Sequence, residues 1–195
     1  MSADRGAPRL ALFAYGSLVS PESAAATLGR VPVRPAPARL PGWRRRWSQV
    51  RDNVAVEKTF ARRSDGTVPR HVLGLNLEPS DVDAVAPNGV LLEVSEDELR
   101  RLDVREMRYD RIEVEALAGF NRVFTYTAKP ANRVAEPPPG AVVIEAYVQG
   151  VERAFAALGA EQLALFRETT GPPPVAVIEA ALVRDRIPPG NPREW

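Results

Sequence analysis

The 195-residue chain has no cysteine. Disulfides, thiolate nucleophiles and cysteine-ligated metals are thereby removed from consideration. It has a single histidine, His71, so no histidine-based metal cluster can form, and a serine triad is disfavoured. No metal and no cofactor are expected. An excess of either charge is also lacking: 26 Lys and Arg stand against 25 Asp and Glu, a formal charge of +1. No general field then draws the chain to nucleic acid or to an anionic membrane. No long apolar stretch is present, and no positive n-region with an apolar core precedes Leu10. The expectation is a soluble, cytoplasmic, single-domain chain with a sizeable core and with neither nucleic-acid nor membrane partners. Proline, by contrast, is abundant at 19 residues, and its clusters punctuate the chain.

Residues Leu10 to Tyr15 form an unbroken apolar run, well sized for a buried strand. Gly16 and Ser17 stop it. Ser20-Pro21-Glu22 then carries a cap, a first-turn proline and a first-turn carboxylate, which predicts a helix to Leu28 with Gly29 as its stop. A strand that ends in a Gly-Ser turn before a helix exposes backbone N–H groups suited to an anion or a polarised carbonyl oxygen. The same turn serves equally without a ligand. Residues 31–41, interrupted by proline, suit an edge strand or an extended connection. In Trp43-Arg44-Arg45-Arg46-Trp47, alternation sets Trp43, Arg45 and Trp47 on one side and Arg44 and Arg46 on the other. Such a cluster can be an amphipathic strand with inward tryptophans or a platform for single-stranded nucleic acid; the balanced charge favours the strand. Residues 53–70 are polar with a turn at Ser64-Asp65-Gly66. Val72–Leu77 and Gly89–Val94 read as strands flanking a loop, with Gly74 marking a bulge or a close approach.

Ser95-Glu96-Asp97-Glu98 is a capping box and predicts a helix from Glu96. Leu99, Leu102 and Glu106 fall at i, i+3 and i+7 on one face, whereas Arg100, Arg101 and Arg105 point elsewhere. A helix reaching Glu106 puts that carboxylate on the buried side, where its pKa rises and it can both take and give a proton. A helix ending near Asp103 leaves Glu106 to pair at the surface with Arg105, Arg108 or Arg111. Tyr109–Leu117 and Arg122–Ala128 read as a hairpin with Phe124 and Tyr126 inward. A proline-bearing spacer covers residues 129–140. Ala141–Leu158 predicts a helix with Ile144, Tyr147, Val148, Val151 and Phe155 along one stripe, and Glu161–Glu168 a shorter one. Beyond Pro172-Pro173-Pro174, Val175–Leu182 suits a strand. Met1–Pro8 and Ile187–Trp195 read as loose ends.

Phe13-Ala14-Tyr15-Gly16-Ser17-Leu18 and, about ninety residues on, Leu102-Asp103-Val104-Arg105-Glu106 with Tyr109 and Arg111 together resemble the γ-glutamylcyclotransferase family, including its ChaC-like glutathione-degrading branch. Leu40-Pro41-Gly42-Trp43-Arg44 also resembles the segment those proteins carry after their first helix. The likeness runs from about Leu10 to Leu158. It implies an α+β fold, a small mixed β-barrel with flanking helices over residues 9–170, followed by a Pro-rich C-terminal extension over 171–195. It implies that Tyr15, Gly16, Ser17 and Leu18 hold the substrate through backbone groups and that Glu106 is catalytic. We place Tyr126, on the inward face of its strand, among the substrate-binding candidates. The implied reaction cyclises a γ-glutamyl group to 5-oxoproline without a cofactor, the substrate being a small γ-glutamyl molecule. One departure stands out: Val143 aligns where many members carry a tyrosine in the pocket wall, and Tyr147 follows a helical turn later. A non-catalytic module that binds a γ-glutamyl or carboxylate ligand through the same turn is the alternative.

Overall fold

A computed structural model describes residues 8–80 and 85–191. The expectations for residues 1–7, for the middle of the loop before Asn88 and for residues 192–195 lie outside the described residues. In chain order the elements are β1 (Leu10–Ala14), a 3₁₀ turn (Ser17–Val19), α1 (Pro21–Leu28), β2 (Ala36–Arg39), β3 (Trp43–Asp52), β4 (Lys58–Arg62), β5 (His71–Pro79) and β6 (Asn88–Val94). There follow α2 (Glu96–Arg105), β7 (Tyr109–Val114), β8 (Arg122–Ala128), β9 (Val143–Ile144), α3 (Glu145–Leu158), α4 (Ala160–Thr170), β10 (Val177–Ile178) and β11 (Ala180–Asp185).

A strand without a polar residue has no face to offer water, and β1 is buried along its whole length. It occupies the centre of a five-stranded sheet in the order β2-β6-β1-β8-β7. It runs antiparallel to β6 and parallel to β8. The proline-bearing β2 lies at the edge, where a missing N–H breaks no ladder. The signals around α1 act as read: Ser20 Oγ accepts from the Ser23 N–H at 3.2 Å, and Gly29 closes the helix at a φ of 76°.

Opposite the sheet, β3 and β5 form an antiparallel ribbon. Among the described residues, side chains carry the links between ribbon and sheet. On one side Asn76 Oδ1 accepts the Ala128 N–H at 2.7 Å, and the Tyr109 hydroxyl donates to the Leu75 carbonyl at 2.8 Å. On the other, the Arg45 guanidinium donates to the Asn88 carbonyl. The side of β3 assigned to Trp43, Arg45 and Trp47 does face inward, and Arg45 is only 2% exposed. Its guanidinium lies over the rings of Phe155 and Phe166 at 5.1 and 4.8 Å. Those rings stack on each other where α3 meets α4. Arg44 and Arg46, on the outer side, both pair with Glu78. The result is the expected α+β architecture, a five-stranded sheet and smaller two-stranded sheets flanked by helices.

Two expectations change. Residues 53–70 contain a strand, β4, because β11 arrives from the far end of the chain to pair with it. The helix expected from Ala141 starts at Glu145; the β-branched Val143-Ile144 pairs in parallel with β10 instead. The segment after Gly171 is thus paired with the preceding fold at two places, β9 and β4. Buried Asn53 organises the loop into β4, donating to the carbonyls of Phe60 and Pro69 and accepting from the Phe60 N–H.

Gly89 is a fixed point of the sheet. A Cβ there would collide with the Ala14 carbonyl oxygen and come within 2.8 Å of Phe13 Cζ. Gly89→Ala should destabilise the fold by about 1–3 kcal/mol through overpacking. The urea midpoint should fall with an unchanged m-value; an unaltered midpoint would refute the packing account.

Candidate active site

Helix α2 starts at a complete capping box: Ser95 Oγ accepts from the Glu98 N–H at 3.2 Å and the Glu98 carboxylate accepts from the Ser95 N–H at 2.8 Å. The helix keeps its phase to Arg105, and Glu106 caps its C-terminus with an N–H donated to the Leu102 carbonyl at 2.8 Å. Leu99 and Leu102 are fully buried. Glu106 follows them inward and is left 18% exposed at its side chain, at the edge of a cavity. The surface-pairing alternative fails for two of its three arginines. Arg108 is bound bidentately by Glu57 at 2.9 and 2.7 Å, and Arg111 lies 3.5 Å from Asp103. Arg105 does pair with Glu106, at 3.1 Å, but inside the protein.

Arg105 itself corrects the sequence reading, which turned it away from the leucine face. It is 7% exposed, because a residue three positions after Leu102 faces α1. Nη1 donates to the Ser23 carbonyl at 2.9 Å and to Thr27 Oγ1 at 2.7 Å. Nη2 donates to Ser23 Oγ at 2.8 Å and to Ser17 Oγ at 3.3 Å. Nε donates to Glu106 Oε1. One guanidinium therefore joins the carboxylate, the first helix and the turn after β1.

Two chambers meet at Glu106. The inner one, of about 50 Å³, is lined by Tyr15, Gly16, Ser17, Leu18 and Tyr126 together with Glu106. Every candidate named from the sequence is therefore brought into one chamber. The outer cavity, of about 280 Å³, shares Ser17, Glu106, Tyr109 and Tyr147 with it and opens past Gln49, Arg51 and Phe60. Two candidate tyrosines present rings more than hydroxyls. The Tyr15 hydroxyl donates to the Tyr126 carbonyl at 2.8 Å, and the Tyr126 hydroxyl donates to Asp103 at 2.7 Å. Gly16 is needed for room, since a Cβ there would lie 3.3 Å from the Tyr147 hydroxyl oxygen.

Tyr147, Tyr109, Gln49 and Arg51 line the site without having been assigned to it. Tyr147 was visible as a helical turn past the position of the family's pocket tyrosine; its place in the first turn of α3 brings it to both chambers. Gln49 and Arg51 were hidden by a register shift between Arg46 and Gln49, which breaks the alternation set by Trp43. Gly74 did signal a close approach: a Cβ there would stand 2.9 Å from Gln49 Oε1.

Burial pushes the Glu106 carboxyl above its ordinary value, with Arg105 and then Arg108 pulling less strongly the other way. Burial also raises the Tyr15 and Tyr109 hydroxyls well above theirs and Tyr147 to about 12. At neutral pH the three tyrosines stay protonated. The cavity thus holds a carboxyl of raised pKa among neutral hydroxyls, next to a fixed guanidinium. Among the described residues no group of His, Asp or Glu is placed to hold a metal ion, and no helix is long and apolar enough to cross a membrane.

No family model and no curated protein matches the chain. Solved structures do. A γ-glutamyl cyclotransferase is 18% identical with a TM-score of 0.51, over 88% of this chain and 94% of that one. The human uncharacterised protein loc79017 is 17% identical with a TM-score of 0.57, over 89% and 95%. Bacillus subtilis YkqA is 19% identical with a TM-score of 0.52, over 80% of this chain but 52% of its own. The chain thus matches about half the length of the Bacillus protein. At these identities the likeness establishes a shared fold.

The raised Glu106 pKa has a consequence for stability. The native state keeps this proton at pH values where the unfolded chain has lost it, so the contribution is complete below the ordinary 4.5 and is lost as pH rises through the folded value. Glu106→Gln should therefore gain on the natural protein as pH climbs from about 4.5 towards neutrality. Urea denaturation across that range checks it; a variant that loses stability relative to the natural protein as pH rises would contradict a desolvated Glu106.

Proposed function

We propose that this chain, which carries the γ-glutamyl cyclotransferase fold, converts a γ-glutamyl compound into 5-oxoproline and a released amine or amino acid. The observation that supports this most directly is that Glu106 and the Tyr15–Leu18 turn line one chamber. A carboxyl held above its ordinary pKa at such a turn suits a substrate that must lose one proton and gain another within a single folded conformation.

In the proposed reaction the α-amine attacks the γ-carbonyl carbon of its own side chain. A C–N bond closes the five-membered ring, and the original γ-amide C–N bond breaks. The entropic cost is small because nucleophile and electrophile belong to one molecule; effective molarities for such pairs reach about 10⁵ M or more. Proton transfer remains. The α-amine, with a pKa of about 7.7–8.0, is largely protonated at neutral pH. Glu106 takes its proton and delivers one to the departing nitrogen. Arg105 keeps the carboxylate in place and limits how far burial raises its pKa. The backbone N–H groups of Gly16, Ser17 and Leu18 serve the substrate carboxylate or the oxyanion of the tetrahedral intermediate. Tyr147 and Tyr109 wall the reacting centre against water.

Glu106→Gln should retain the circular dichroism and cooperative unfolding of the natural protein while lowering 5-oxoproline release at least about 10²-fold, the loss typical of a general acid/base. A panel of γ-glutamyl peptides and γ-glutamyl amines, with 5-oxoproline quantified by chromatography, supplies the readout. Undiminished turnover in the variant would take Glu106 out of the mechanism. Ligand binding without 5-oxoproline from any compound would favour the non-catalytic module.

A further inference from the structure

We propose that Arg51 is the specificity-determining cation of this site, reading a carboxylate on the leaving half of the γ-glutamyl substrate in the outer cavity. The inference rests on the function proposed above and selects among its substrates: γ-glutamyl amino acids or short peptides over γ-glutamyl amines without an acidic group.

Position comes first. Past the irregularity in β3, Gln49 pairs with Gly74 and Arg51 with Val72. Residues two apart on a strand share a face, and both Gln49 and Arg51 line the outer cavity. On β5 the inner chamber touches Leu75, whereas the outer cavity touches Val72, Leu73 and Gly74. Travel along the ribbon therefore leads from the turn and Glu106 outward to Arg51. The step from Gln49 to Arg51 is roughly 7 Å, about the length of two extended amino-acid residues.

Charge comes second. Of the other cations around the outer cavity, Arg105 is paired with Glu106, Arg108 is bound by Glu57, and Lys58 reaches Asp185 at 3.5 Å. Arg51 has no carboxylate within ion-pair distance among the described residues. It donates one N–H to the Lys58 carbonyl at 3.0 Å and lies over the Phe60 ring at 5.2 Å. These contacts fix the guanidinium plane and leave donors for a substrate carboxylate. Burial, then Arg108, lowers its pKa to about 10 against a weaker upward pull from Glu57, which is itself held by Arg108, and this still keeps Arg51 charged at neutral pH. A cationic leaving group, such as a polyamine, would be repelled at this place.

The remaining wall is apolar and includes a residue from the C-terminal segment. Phe60, Val72, Ile144 and Ile187 line it. Ile187 is brought there by the pairing of β11 with β4 and by an Arg186 N–H donated to the Glu57 carbonyl at 2.8 Å. The segment beyond Gly171 is therefore part of the site, and the leaving group it encloses carries an apolar side chain beside its carboxylate.

The test compares γ-glutamyl-leucine with γ-glutamyl-isopentylamide, which keeps the side-chain skeleton and lacks the leaving-group carboxylate. Kinetic constants are measured for the natural protein, Arg51→Gln and Arg51→Lys, and calorimetric affinities for both compounds in a Glu106→Gln background with and without Arg51→Gln. The natural protein should prefer the carboxylate compound by about 10–100-fold, the range for a hydrogen-bonded charged group. Arg51→Gln should bring that preference to within about threefold, the larger loss falling on the carboxylate substrate, and Arg51→Lys should restore part of it. Circular dichroism and a cooperative urea transition matching those of the natural protein show that Arg51→Gln is folded. An equal preference with and without Arg51, or no preference in the natural protein, overturns the proposal. If neither compound yields 5-oxoproline, the catalytic reading fails and calorimetry decides this one. A carboxylate preference in binding that Arg51→Gln abolishes upholds it; equal binding, or binding of neither compound, overturns it.

Discussion

The buried guanidinium of Arg105 is the constraint on which the site depends. Removing such an ion from water costs several kcal/mol, and the cost is offset only when every donor finds an acceptor. Here the five N–H groups meet Glu106, Ser17, Thr27 and two oxygens of Ser23. The acceptors belong to α1, to the turn after β1 and to the end of α2. None of these pieces can shift without stranding a buried donor. The distance between the Glu106 carboxylate and the turn is therefore set by a saturated hydrogen-bond set, not by the lengths of the connecting loops.

A comparable logic holds sheet and ribbon together. Where ribbon and sheet do not pair by backbone, single side chains take over: Asn76 and Tyr109 on one side, Arg45 on the other. The Tyr109 link also forms the floor shared by the two chambers. Architecture and site thus use the same residues. Buried tyrosines whose hydroxyls stay protonated at neutral pH line the cavity around the Glu106 carboxyl, whose own pKa burial raises. The C-terminal segment completes the enclosure through Ile187, so a part of the chain that carries none of the recognisable motifs contributes to the cavity wall.

Much of the fold is legible in the amino-acid order. The apolar run of β1, the serine caps and the capping box of α2 are local signals, and local sterics and hydrogen bonding decide them. Glu106 is legible as a candidate because helical periodicity continues through Leu99 and Leu102. Arg105 is misread by the same periodicity, which describes one apolar stripe and says nothing about a second helix packing beside it. The strand β4 is missed because its partner, β11, follows more than a hundred residues later. Gln49 and Arg51 are missed because one irregularity in β3 resets the alternation on which their facing depends.

The sequence alone determined which segments become strands and helices where the signal is contained within a few residues, and it placed a glycine turn and a carboxylate at the ends of two such segments. Only the tertiary structure decided that these ends share a chamber, that an arginine between them is buried and satisfied, and that Ile187, just past β11, joins the cavity wall. The reason is physical. Caps, turns and periodic stripes are settled by neighbours along the chain, whereas burial of a charge and the pairing of distant strands depend on which surfaces meet after the chain has folded back on itself.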